Sequence, residues 1–185
     1  MRRQEEARDP LEAVRRVRQV RRFRPDPVPK DTLRELLEIA RWTGSARNSQ
    51  PWRFVVVADK ERLRQLSQVR PPIAWIAEAP LAIAIVLNGA NETTEAYDEG
   101  RVAERLLVGA QLLGLGGAVA WFGDAAQRAA ARQILGVPAG RTVRSVVVLG
   151  CPDAAGEPTE SNGVPGGRRP LTELVSYERF AESPG

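Results

Sequence analysis

The chain of 185 residues contains no histidine, one cysteine and one methionine. Without histidine there is no Ser-His-Asp or Cys-His catalysis, and no histidine-based zinc or iron site. The lone Cys151 excludes an internal disulfide and a multi-cysteine metal or iron–sulfur centre. No metal is therefore expected. Proton chemistry falls to carboxylates, water or a cofactor, and any electron transfer falls to an organic cofactor. Long apolar runs are missing too. The longest, residues 80–87, falls far short of the ~20 residues needed to cross a bilayer. Arg2 and Arg3 lead into Gln4, Glu5 and Glu6 rather than an apolar signal core, so the expected compartment is the cytoplasm, with no membrane partner.

What is present describes a folded protein. Apolar residues make up 43% and charged residues 27%, which argues against disorder. The length suits one domain, 1–185, or one protomer of an intimate oligomer. A chain of this size can bury roughly 70% of its unfolded surface. Residues 1–9 are polar and expected to be flexible. The net charge of +4 comes from twenty-seven bases interspersed with twenty-three acids, and almost all the bases are arginine. One cluster stands out: Arg15, Arg16, Arg18, Arg21, Arg22 and Arg24. It reads as a solvated helix face, a nucleic-acid patch, or an anion clamp built on planar guanidinium donors. The nucleic-acid reading lacks an aromatic stacking platform and a recognition motif, so no nucleic-acid partner is expected.

Apolar periodicity predicts a helix over residues 10–20 and another after Pro29, with Leu33, Leu36, Leu37 and Ala40 on one face. Thr32 and Glu35 have the spacing of a capping box. Strands are predicted at 53–58, 81–87, 118–122 and 143–149, and helices near 60–68, 72–78, 95–115 and 124–135. The helix at 95–115 is apolar on most sides and so central, with Gly116 and Gly117 expected to end it. Residues 151–170 form a long Pro/Gly-rich connection, a loop or an arm, before a short apolar segment at 171–180. The glycines at 114, 116 and 117 follow a helix and precede a strand, the reverse of a dinucleotide fingerprint.

Two stretches carry chemistry. One is Val17-Arg18-Gln19-Val20-Arg21-Arg22-Phe23, followed by Pro25, Pro27 and Pro29; the other is Gly44-Ser45-Ala46-Arg47-Asn48-Ser49-Gln50-Pro51-Trp52. The second loop offers amide and hydroxyl groups, which suit a flat ligand with polar edges. Read alone, its polar groups can equally satisfy its own backbone. Together the two stretches resemble the FMN-dependent nitroreductase family, with a match spanning nearly the whole chain. In that family an Arg-Arg-Ser-x-Arg-x-Phe motif precedes a Pro-Ser-x-x-Asn-x-Gln-Pro-Trp loop. Here Val17, Gln19 and Gly44 replace an arginine, a serine and a proline.

The resemblance implies an α+β fold, a mixed, largely antiparallel sheet flanked by helices. It also implies a homodimer with an extended C-terminal arm and a flavin site at the interface. Arg18, Gln19 and Arg21 fall where the family contacts the phosphate, ribityl chain and pyrimidine edge of FMN. Ser45, Asn48 and Gln50 fall in the loop that reaches the isoalloxazine, commonly from the partner subunit. Ala120, Trp121, Phe122 and Gly123 fall on the strand end that lies along the flavin and offers a backbone N–H towards N5. Phe122 stands where some members carry a glutamate near the nicotinamide. Arg168 and Arg169, after Gly166 and Gly167, match a phosphate clamp. The implied function passes electrons from NADH or NADPH through FMN to an electron-poor small molecule such as a nitroaromatic or quinone, with no catalytic side chain. A flavin-binding carrier or sensor without NAD(P)H turnover is the first alternative and a basic nucleic-acid-binding domain the second, and a deazaflavin could stand in for FMN. Trp42, Trp52 and Trp75 read as core residues and Trp121 as a residue of the site.

Overall fold

A computed structural model describes residues 10–153 and 168–180. In chain order the elements are α1 (Pro10–Arg16), α2 (Lys30–Arg41), β1 (Arg53–Val57), α3 (Lys60–Ser67), β2 (Leu81–Leu87), α4 (Glu92–Leu112), β3 (Gly116–Trp121), α5 (Ala125–Ile134), β4 (Thr142–Gly150) and α6 (Leu171–Leu174). Short 3-10 segments lie at Ala46–Asn48 and Pro71–Glu78. The expectations for residues 1–9, for Gly166 and Gly167, and for most of the connection at 151–170 lie outside the described residues.

The strands form one sheet in the order β1-β2-β4-β3, and every neighbouring pair is antiparallel. The expected α+β class holds. Among the described residues the parallel contribution is a single bridge, Gln19 beside Gly117. Strand β2 explains how the layers are filled. Its side chains alternate, so Ala82, Ala84 and Val86 join one core while Leu81, Ile83, Ile85 and Leu87 join the other. The small residues face α3, the Pro71–Glu78 turn and α5, through Leu63, Leu66, Ile73, Ile76 and Ala131. The large residues face α2 and α4, through Leu36, Ala40, Val102, Leu106 and Ala110. Truncating one of these fully buried large side chains to alanine would cost about 2–5 kcal/mol.

Several boundaries differ from expectation for local reasons. Helix α1 ends at Arg16, because residues 19–24 leave it to bond along the sheet. Helix α2 starts at Lys30 with Pro29 as its N-cap, so Thr32 and Glu35 sit inside the first turns and form no capping box. Side-chain caps occur instead at Asp59, Asn91 and Asp124. Helix α4 stops at Leu112. Gly114 takes a φ of +78°, the Leu115 N–H donates to the Ala110 carbonyl at 2.8 Å, and the Gly114 N–H donates to Gln111 at 3.3 Å. That paired pattern is a Schellman stop.

Gly116 and Gly117 therefore belong to β3, not to a helix end. A β-carbon on Gly116 would meet Val20 Cγ2 at 2.8 Å, and one on Gly117 would meet Leu149 and Leu107 at 2.7 and 2.9 Å. Bare backbone here lets the chain at 19–20 and the end of α4 both close onto β3.

Candidate functional site

The N-terminal segment reaches the site by completing the sheet edge. The Val20 N–H donates to the Gly117 carbonyl at 2.8 Å, and the Val119 N–H donates to Gln19 Oε1 at 2.8 Å. Further along, the Arg24 N–H donates to the Cys151 carbonyl at 2.9 Å and the Asp153 N–H to the Arg22 carbonyl at 3.1 Å. Phe23 is buried between these bonds and pins the segment. The amide nitrogen of Gln19 has no partner among the described residues.

Beside Gln19 lies a cleft of about 400 Å³ between β3 and α4. Trp121 stands at its edge with 51% of its surface exposed. The wall from α4 carries Ala96, Gly100 and Ala103, whose spacing puts three small residues on one face. Nothing stands within 4 Å of a β-carbon built on Gly100. Such a cleft has room for a flat group next to an indole and an amide donor. Its volume is at the low end of ligand sites, which run to roughly 300–1,000 Å³.

The floor is polar and buried. Ser145 Oγ donates to Glu99 Oε1 at 2.5 Å, and Arg144 Nη1 donates to Glu99 Oε2 at 3.3 Å. Arg144 also donates to the Glu92 carbonyl at 3.2 Å and lies 3.8 Å from Glu95. Glu95 in turn accepts the N–H groups of Gly89 and Ala90. Burial pushes the Glu99 carboxyl above its usual range, outweighing the Ser145 hydrogen bond and the charge of Arg144.

The expected residues are distributed unevenly. Gln19 and Trp121 meet at the cleft. Arg21 packs over Trp75, its guanidinium carbon 6.0 Å from the ring centroid. Arg18 turns back to the carbonyls of Arg15 and Val17. Ala120 and Phe122 are almost wholly buried. The Phe122 N–H is taken by the Arg144 carbonyl at 2.8 Å and the Gly123 N–H by Gln127 Oε1 at 2.9 Å. Trp42, expected in the core, is 70% exposed and carries Arg41 at 5.1 Å from its ring.

The loop at 45–50 folds on itself. The Gln50 N–H donates to Ser45 Oγ at 2.8 Å, and Gln50 Nε2 donates to Asn48 Oδ1 at 3.1 Å. Arg47, Asn48 and Gln50 all hold positive φ, at 54°, 53° and 45°. No described hydrogen bond joins this loop to Gln19, Arg21 or Trp121 within the chain. Arg168 is exposed, and Arg169 is paired with Glu173 at 3.1 Å. The basic cluster is also partly neutralised: Arg16 pairs with Glu12 at 2.6 Å and Arg24 with Asp26 at 3.3 Å. Among the described residues no group of side chains has the makings of a metal site, and no helix is long and apolar enough to cross a membrane.

Three residues at the site have little sequence signal. Arg70 stacks on Trp121, 5.4 Å from the ring centroid, and its Nη1 donates to the Trp121 carbonyl at 2.9 Å. Its one hint is its place before Pro71 and Pro72, which start a turn. Glu99 and Arg144 were hidden by the apolar character of α4 and β4. The readable signal was a pair of carboxylates, Glu95 and Glu99, in register with Val102 and Leu106.

Comparison with known proteins bears on the whole arrangement. The sequence model described as "Nitroreductase family" matches residues 14–73, which hold the N-terminal segment, the loop at 45–50 and Arg70. A protein of Archaeoglobus fulgidus named "Putative NADH dehydrogenase/NAD(P)H nitroreductase" is 30% identical over 145 residues, 73% of this chain and 80% of that relative. A protein of the same name from Methanothermobacter thermautotrophicus is 30% identical over 118 residues, and the match spans only 61% of that relative's length. The solved structure of an FMN-dependent nitroreductase from Clostridium difficile superposes with a TM-score of 0.80 at 24% identity, covering 92% of this chain and 99% of that one. With the fold, the segment at 17–23 and the loop at 45–50 in agreement, the chain belongs to the nitroreductase family.

Proposed function

We propose that the chain is a flavin-dependent oxidoreductase that draws electrons from NADH or NADPH through FMN and delivers them to an electron-poor small molecule, such as a nitroaromatic or a quinone. The observation that carries this reading is the convergence of Gln19 and Trp121 on one cleft, through the bond from the Val119 N–H to Gln19 Oε1. The residues there fit the group: an indole face, a wall of small residues and an amide donor suit a flat ring with polar edges. The chemistry that FMN supplies when bound is two-electron exchange between a nicotinamide and an acceptor.

The chain's own groups position and polarise. Gln19 would donate its amide N–H groups to the flavin, and Trp121 would flank it. Arg21, fixed over Trp75, would place positive charge where negative charge builds during reduction. Arg70 would hold the Trp121 ring and carbonyl in place. No histidine is needed, because no side chain has to shuttle a proton.

The working unit on this reading is a homodimer. Loop 45–50 makes no described bond to the Gln19 cleft of its own chain, as expected if Ser45, Asn48 and Gln50 serve the partner's flavin. Residues 168–180 are exposed throughout, with Tyr177 and Phe180 at 86% and 88%. An arm with that much bare apolar surface gains by lying on a second copy, where Arg168 and Arg169 could reach a phosphate.

The test is the visible spectrum of purified protein after incubation with FMN, followed anaerobically as NADH and then NADPH is added. Retained flavin that bleaches with one donor, and recovers on adding a quinone, supports the reading. Flavin that stays oxidised with both donors makes the chain a carrier or sensor. Failure to retain flavin at all removes the proposal.

A further inference from the structure

Arg144 separates two clefts. On the side away from Trp121 lies a second one, of about 320 Å³, between α5, the start of β4 and the turn at Gly89. Four arginines line it: Arg128, Arg132, Arg141 and Arg144, against one acid, Glu92. Helical spacing puts Arg128 and Arg132 on one face of α5. Arg128 is anchored to Glu92 Oε1 at 2.9 Å and to the Phe122 and Gly123 carbonyls at 3.4 Å. Arg132 donates through Nη1 to the Val137 carbonyl at 3.5 Å, and Arg141 through Nη1 to Asn88 Oδ1 at 2.9 Å.

Arg144 is matched by the acids of α4, and Arg128 by Glu92. Arg132 and Arg141 make no ion pair among the described residues, and both are half-buried. Like charges held together out of bulk water cost free energy unless an anion joins them. Each guanidinium has five N–H donors, and the bonds above tie one nitrogen of Arg132 and one of Arg141. The remaining donors form the planar forks that suit phosphate oxygens.

We infer that this cleft is a binding site for phosphate groups, of the kind a nucleotide carries, held chiefly by Arg132 and Arg141. Two sources share that chemistry. One is the nicotinamide donor, since Arg144 lines both clefts and Arg128 grips the carbonyls just after Trp121; this source rests on the function proposed above. The other is a separate phosphorylated molecule.

Titration calorimetry with inorganic pyrophosphate, at constant ionic strength, reads the site without relying on turnover. The wild-type protein should bind saturably. Arg132→Gln with Arg141→Gln should weaken binding by about tenfold or more, as loss of two charge-assisted forks implies. Arg132→Lys with Arg141→Lys, which keeps the charge and guards against a folding defect, should fall between. Displacement of pyrophosphate by NADP⁺ assigns the site to the donor; unchanged pyrophosphate binding in saturating NADP⁺ assigns it to a separate ligand. No saturable binding by the wild type, or equal binding by all three proteins, overturns the proposal. Flavin content measured on the same samples keeps failure of the flavin reading distinct, because pyrophosphate binding needs no flavin.

Discussion

Arg70 holds Trp121 by two contacts at once, a guanidinium 5.4 Å from the indole centroid and a hydrogen bond of 2.9 Å to the Trp121 carbonyl. The pair fixes both the ring and the backbone at the end of β3, where the chain turns away towards α5. An exposed indole without such support would sample several rotamers and pay to be ordered by a ligand.

Arg70→Ala should therefore weaken FMN binding more than it weakens the fold. A contact of this type is worth about 0.5–1 kcal/mol at an exposed site, so the expected loss of affinity is several-fold. Fluorescence quenching of FMN on titration with protein measures it, alongside thermal unfolding without flavin. Equal affinity in wild type and variant would remove Arg70 from the site.

Gln19 has two separable jobs. Its Oε1 accepts the Val119 N–H, and its amide nitrogen, without a partner among the described residues, would serve the flavin on the reading proposed above. Gln19→Glu keeps the acceptor but removes the donor and adds negative charge. Gln19→Ala removes both. Alanine should cost about 1 kcal/mol of stability, as loss of one hydrogen bond does, and glutamate much less. Both should bind FMN more weakly. A glutamate variant with wild-type flavin affinity would show that the amide does not touch the cofactor.

How far the sequence revealed this arrangement depended on whether the signal was local. Strand β2 was legible to the residue, because Ala82, Ala84 and Val86 alternate with larger residues and both sets are buried. Gly116 and Gly117 misled, because two glycines after a helix look like a stop, whereas their purpose is close approach by Val20, Leu107 and Leu149. That requirement comes from segments far away in sequence. Thr32 and Glu35 misled in another way: the spacing is right, but with Pro29 as N-cap the helix begins three residues too early for Thr32 to cap it. In the site, Gln19 and Trp121 were found through a family pattern. Arg70, Glu99 and Arg144 were not, since their roles arise from contacts across 45 to 51 residues of chain.

The loop at 45–50 holds three non-glycine residues at positive φ, Arg47, Asn48 and Gln50. Arg47 at φ 54° has a β-carbon in a region that favours glycine. Arg47→Gly should raise the midpoint of thermal unfolding, by the equivalent of up to about 1 kcal/mol. If the loop serves a partner's flavin, the same change should loosen it and weaken FMN binding. Differential scanning calorimetry and FMN titration on the same variant check both halves. A lower midpoint would mean that the Arg47 side chain contributes more than its backbone costs.

Glu99 sets a pH dependence whose sign follows from its surroundings. It is met by Arg144 and Ser145 from β4, shares Arg144 with Glu95 one turn earlier on α4, and feels Arg128 of α5. Burial is the largest influence and raises its pKa above the ordinary value. The folded protein therefore binds this proton more tightly than the unfolded chain does. Its contribution to stability is complete below the ordinary glutamate range and is lost as pH rises through the raised folded value. Glu99→Gln imitates the protonated form and cannot titrate. The difference in Tm between wild type and Glu99→Gln, followed from about pH 4 to about pH 8, should shift against the wild type as pH rises. Taking the difference isolates the Glu99 position from groups elsewhere in the chain. A flat difference would mean that the Arg144 and Ser145 contacts balance burial, and one that moves in the wild type's favour would mean that they outweigh it. In the second case the carboxylate on the floor of the cleft would hold its negative charge to lower pH than an ordinary glutamate, beneath any ligand beside Trp121.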